Sequence, residues 1–266
     1  MLIRGGKEKM NFRRLLAFCA SFAAVFLLSS ISVKADGYWQ DGYWDDANQV
    51  WVEGHWVENG WTDTSGGNAW AGQPYQEYAN GGVINYDAAG NWTSTVVGNV
   101  PVFSQHNGAW AGVTIGEGGN FGSTGCVPTA MAMIMNHFGF GGSPLDYGYA
   151  MNASGNYNSY MGHGADSAAL TNTGAAYGLA VNAFSDYDSM YYALQRGKLV
   201  AACIGGNSSV THCVVLYGLD AWGNTNVADP SGNRYRTNIA SIVNNMSYNP
   251  VDWTAGGPFV AFGYEW

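Results

Sequence analysis

The stretch FGSTGCVPTAMAMIMNHFG, residues 121–139, sets a single cysteine, Cys126, between a Gly- and Ser-rich approach and an almost wholly apolar run. From Pro128 to His137 nearly every position is apolar, which predicts a central helix buried on most of its faces. Pro128 suits the first turn, where its missing N–H is not needed, and Gly139 is placed to end the helix with a left-handed cap. Cys126 then falls at or just before the helix N-terminus. Unpaired backbone N–H groups and the positive end of the helix dipole favour a thiolate there, and the thiolate is the nucleophilic form. A buried structural cysteine is the alternative, since free cysteines commonly lie in cores. Placement ahead of the helix, outside its apolar face, points to the reactive reading.

A nucleophile of this kind needs a base and a group to orient the base. His212 opens the apolar run HCVVLYG, and Asp229 closes the run TNVAD just before Pro230. Antiparallel neighbours of this length bring residues 212 and 229 close together, which supplies nucleophile, base and orienter. The surrounding pattern is helical first and β-rich second. GHGADSAALTNTGAAYGLAV reads as a second helix ending at Gly178, and DYDSMYYALQRGK as a third, closed by Gly197. LVAACIG, THCVVLYGL and TNVADP read as strands. Helices followed by an antiparallel sheet make an α+β fold. If the first two strands form a hairpin centred on Ser208, Cys203 stands opposite Cys213. A cross-strand bridge is then geometrically conceivable, and two buried thiols are the default.

TGCVPTAMAMIMNHFG, ALQRGKLVAACI, THCVVLYGLD and NVADPSG, in that order and spacing, resemble the secreted peptidase-C-thirty-nine-like family of papain-like cysteine peptidases. The resemblance covers roughly residues 100–264. It implies a papain-like fold, a central helix packed on an antiparallel sheet, and hydrolysis of peptide bonds through an acyl-enzyme. By position, Cys126 is the implied nucleophile, His212 the base and Asp229 its partner. Gln105, in FSQHNGAW, is the implied oxyanion-hole donor together with the Cys126 backbone N–H. Two positions depart from the family pattern: Val127 and Thr211 stand where glycine is usual, and both are expected to add bulk near the site.

Residues 1–35 run from Arg4, Lys7, Lys9, Arg13 and Arg14 through an apolar stretch to SVKA, the order of a secretory signal peptide cleaved after Ala35. Without them four basic and eighteen acidic residues remain, a net charge of −14. Such a chain has no basic patch for phosphates, so nucleic acid is not an expected partner, and neither is an integral membrane protein. The expected location is secreted, extracellular or loosely surface-associated. Residues 36–75 hold six of the eleven tryptophans, with Gly-aromatic-Trp units and a hairpin signal at Asn59-Gly60. This aromatic segment either stacks on sugar or cell-wall polymer, or its rings pack on each other or on the main domain. Residues 76–99 read as a linker of short turns, and residues 100–266 as the peptidase-like domain.

No cofactor and no metal are expected, because the histidines lack metal-ligand spacing and GGSPLD lacks the Lys-Ser/Thr of a phosphate loop. His137 is placed to cap its helix; His106 and His163 are candidates only to line a cleft, and His55 is a strand-face residue. The sequence therefore predicts an exported cysteine peptidase acting on a peptide or protein substrate. Cell-wall peptide chemistry and a non-catalytic surface-binding role are its alternatives.

Overall fold

The computed structural model describes residues 74–116, 119–157 and 164–264, together with the backbone of four short strands between residues 37 and 58. The predicted signal peptide and the Asn59-Gly60 turn lie outside the described residues. The chain divides into two units, residues 1–67 and 68–266. In the first unit, β1 (Gly37–Gln40) pairs antiparallel with β4 (His55–Glu58). Likewise β2 (Tyr43–Asp45) pairs with β3 (Val50–Val52).

The second unit opens with a meander, β5 (Tyr75–Ala79), β6 (Gly82–Tyr86) and β7 (Trp92–Val97), where the sequence predicts a linker. The expectation failed because these strands are short, five or six residues each, and mostly part-buried or exposed, so no long apolar alternation marks them. Their edge is completed from far along the chain: β11 (Leu219–Asp220) adds to β7, with Leu219 opposite Thr95. Asn80, in the β5–β6 turn, joins this sheet to the rest of the unit. Its side-chain amide donates to the Arg196 carbonyl at 2.9 Å, and its Oδ1 accepts from the Tyr264 N–H at 2.7 Å.

A short helix α1 (Phe121–Thr124) leads into α2 (Cys126–His137), followed by α3 (Pro144–Ala153) and α4 (Ser167–Ala176). Helix α3 has no counterpart among the predicted elements, although Ser143, Pro144 and Asp146 form a complete capping box at its start. After β8 (Ala180–Phe184) come α5 (Tyr187–Gln195), β9 (Leu199–Ile204), β10 (His212–Tyr217) and β12 (Asn224–Asp229). The unit ends with β13 (Asn233–Asn238), α6 (Ile239–Asn244), a 3₁₀ turn (Pro250–Trp253) and β14 (Phe259–Gly263). Six strands form one antiparallel sheet in the order β13-β12-β10-β9-β14-β8.

Central strands β9, β10 and β14 are apolar at successive positions because helices cover both faces of the sheet. On one face Ala201, Cys203, Cys213, Val215, Val260 and Phe262 pack with the buried residues of α2, α3 and α4. On the other, Val200, Ala202, Val214, Leu216 and Phe259 pack with Met190 and Leu194 of α5 and Ile239 of α6. Burial is complete from Leu199 to Ala202, and a fully buried Leu or Val contributes about 1.5–3 kcal/mol. Every residue of α2 from Val127 to Met135 is buried, as the apolar run predicts. Cys213 lies opposite Cys203 in the register, and Cys126, Cys203 and Cys213 are all unbridged. No helix among the described residues is long and apolar enough to cross a membrane.

Candidate active site

Cys126 occupies the first turn of α2 because the chain turns sharply there from α1. Gly125 makes that turn: its N–H donates to the Phe121 carbonyl at 2.7 Å. A Cβ at Gly125 would stand 2.5 Å from both that carbonyl and the Phe121 ring, so any larger residue would force α1 and α2 apart. Cys126 is left half-buried, beside the core and not within it.

The sheet delivers the other two groups. Val215 pairs with Ala228, which brings the start of β10 and the end of β12 to the same edge of the molecule. His212 Nε2 donates to Asp229 Oδ1 at 2.7 Å. The carboxylate can only accept, so the proton on this nitrogen is set by its partner. The Cys126 side chain also acts on this ring and favours its charged form. Burial opposes a charged imidazole here, but the hydrogen bonds to Asp229 and Cys126 outweigh it and push the His212 pKa up to about 10. Asp229 answers in the opposite direction. Burial alone would raise its pKa, yet the bonds from His212 and from the Ser231 backbone N–H bring it down to about 2. Ser231 N–H donates to Asp229 Oδ1 at 2.7 Å, an Asx-type turn written in the sequence as Asp-Pro-Ser-Gly.

Gln105 is buried on the same side of the molecule. Its Nε2 donates to the Gly122 carbonyl at 2.7 Å, and its Oε1 has no partner. The sequence places the amide as an oxyanion donor; in the structure one of its N–H groups is committed to α1. Next to Cys126, Tyr157 and Thr124 share a buried hydroxyl contact at 2.7 Å. Burial, opposed by the Thr124 bond and reinforced by the Cys126 charge, raises the Tyr157 pKa to about 12. Sequence reasoning missed this pair, since a lone tyrosine 31 positions downstream carries no signal of proximity.

Several expected neighbours stand elsewhere. Val127 is 3% exposed and faces the core, so it adds no bulk to the cleft. His137 does not act as a simple helix cap: its Nε2 bonds the Asn80 carbonyl at 3.1 Å, over Gly81. His106 is exposed, Thr211 is half-buried, and His163 lies outside the described residues.

Cysteine at a helix mouth, beside a histidine held by a carboxylate, defines a thiol hydrolase type of site, and the family comparison agrees in class. The chain belongs to the Peptidase_C39 like family, a family of cysteine peptidases, whose model matches residues 97–255. Among solved structures, the chain is similar to the peptidase domain of Streptococcus ComA, a bi-functional ABC transporter involved in a quorum sensing pathway. The similarity covers 53% of this chain and 92% of that one, at 16% identity and a TM-score of 0.36, too loose to bear on fold or chemistry. No curated protein matches the chain.

Proposed function

We propose that the chain is an exported cysteine peptidase of papain-like architecture that hydrolyses a peptide or protein substrate through an acyl-enzyme. One observation carries this reading: His212 Nε2 is held by Asp229 Oδ1 at 2.7 Å, and Cys126, at the start of α2, acts on the same ring. In this mechanism His212 holds the proton when Cys126 attacks. Cys126 Sγ attacks the scissile carbonyl, and the charge passes to the carbonyl oxygen, which the Cys126 backbone N–H and the second Gln105 amide N–H receive. The tetrahedral intermediate collapses, the C–N bond breaks, and His212 gives its proton to the departing amine. His212 then takes a proton from water as the water attacks the thioester, and the acid product leaves with Cys126 restored. Asp229 keeps the ring oriented throughout. Export rests on the order of charged, apolar and small residues in residues 1–35, which N-terminal sequencing of secreted material checks directly.

The test is alkylation of the folded protein with iodoacetamide across pH, located by mass spectrometry, beside His212→Ala and a fluorogenic peptide panel. Expected are fast labelling of Cys126 well below pH 8.5, the ordinary range of a thiol, loss of that limb in His212→Ala, and no turnover by Cys126→Ala. Labelling that follows an ordinary thiol and ignores His212 would remove the proposal.

A further inference from the structure

The cleft is built from two parts that meet only through side chains and loops. Cys126 belongs to the α1–α2 turn, while His212 and Asp229 belong to the sheet. Gln105 touches both. Its backbone N–H donates to the Pro230 carbonyl at 2.7 Å, on the residue that follows Asp229. Its side-chain Nε2 donates to the Gly122 carbonyl at 2.7 Å, in α1, four residues before Cys126. The segment carrying Gln105 is held to the sheet by the antiparallel bridge of Ser104 with Ser231 and by the Arg234 guanidinium, which donates to the Val100 carbonyl. The Trp110 indole N–H donates to the Ser104 carbonyl at 2.8 Å and braces the segment itself, and beyond it the Phe121 and Gly122 N–H groups donate to the Val113 and Ala111 carbonyls at 2.7 and 2.8 Å.

The orientation of the amide is also determined. Reversing it would set Oε1 against the Gly122 carbonyl, oxygen to oxygen, and would forfeit the bond. As it stands, Oε1 is buried without a partner and the side chain is only 7% exposed. A buried amide that leaves its own acceptor unsatisfied to keep one donor in place is held by that donor.

We propose that Gln105 is a positioning residue: it fixes the register of the Cys126 helix against the His212–Asp229 end of the sheet. This role is separate from any donation to an oxyanion, and it rests on the Cys–His reading given above. It makes the pairing of Cys126 with His212 depend on a side chain whose amide is bonded at Gly122, four residues before Cys126.

Iodoacetamide separates the two roles. Alkylation displaces iodide from a saturated carbon and forms no oxyanion, so a residue that only stabilises an oxyanion leaves its pH profile unchanged. Gln105→Met preserves the buried volume and removes the amide. Its Cys126 alkylation profile is expected to move up by about one pH unit, which is a tenfold loss of rate on the low-pH limb. The His212→Ala profile is the limit it approaches. Trp110→Phe removes the indole donation to Ser104 and part of that ring's packing against the core, and is expected to shift the profile in the same direction by less; it decides the matter if Gln105→Met does not fold. Profiles of both variants that superimpose on wild type, with peptide turnover reduced in Gln105→Met, would overturn the positioning role and leave the Cys–His reading standing. A wild-type profile already equal to that of His212→Ala would overturn both, and that control identifies it.

Discussion

At the scale of single residues, His212 and Asp229 shift in opposite directions because each stabilises the charged form of the other, with Cys126 adding to the rise and Ser231 to the fall. The consequence for stability has a definite sign. His212 rises from 6.5 to about 10, so its contribution is complete below pH 6.5 and disappears as pH climbs through about 10. Asp229 falls from 3.8 to about 2, so its contribution is complete above pH 3.8 and disappears as pH drops through about 2. Urea unfolding across pH is therefore expected to show a plateau between those inner limits for this pair. In Asp229→Asn the alkaline edge should retreat toward pH 6.5. An alkaline edge that stays near pH 10 would mean that Asp229 does not hold the charge on His212.

Cys126 depends on a neighbour that carries no chemistry. Gly125→Ala would place a methyl 2.5 Å from the Phe121 carbonyl and ring. Overpacking of this kind costs about 1–3 kcal/mol. Denaturant unfolding is expected to show that loss, and mass-spectrometric labelling to show slower alkylation of Cys126, because the α1–α2 turn must open. Unchanged labelling would show that the helix mouth tolerates the movement.

Among elements, the meander β5–β7 is tied to the main sheet through β11 and through Asn80. Asn80 combines a left-handed backbone, φ 53°, with an amide bonded to the Arg196 carbonyl and the Tyr264 N–H. Two substitutions separate these terms. Asn80→Gly keeps the conformation and loses the amide, whereas Asn80→Ala loses the amide and adds backbone strain of about 1–2 kcal/mol. Each buried group left unpaired costs about 1–3 kcal/mol. The alanine variant is expected to be the less stable of the two by urea denaturation. Equal losses would assign the whole effect to the amide.

For the whole molecule, both faces of one antiparallel sheet are sealed by helices, and Cys203 and Cys213 are sealed with them at 1% exposure each. Burial and the mutual hydrogen bond hold the Cys203 thiol well above its ordinary pKa; the bond to Cys213 is the larger cause. A thiol reagent applied to the folded, unreduced protein lacking residues 1–35 is expected to modify Cys126 alone. After unfolding without reductant, all three thiols should react. Two fewer would establish a Cys203–Cys213 bridge and replace the unbridged pair described above.

The helix from Cys126, the central strands and the opposition of Cys203 and Cys213 were legible in residue order, because a continuous apolar run and a hairpin's symmetry are local properties. Asp229 near His212 was legible for the same reason, being a matter of strand length and antiparallel pairing. The meander at 75–97 was not, since its polar strands are stabilised by β11 and Asn80's distant partners, and no window of sequence contains them. Nor was the inward turn of Val127, or the commitment of the Gln105 amide to Gly122. Sequence alone singled out Cys126, His212, Asp229 and Gln105 as candidates. The tertiary structure decided how they are held, because the hydrogen bonds that aim them join residues remote in the chain.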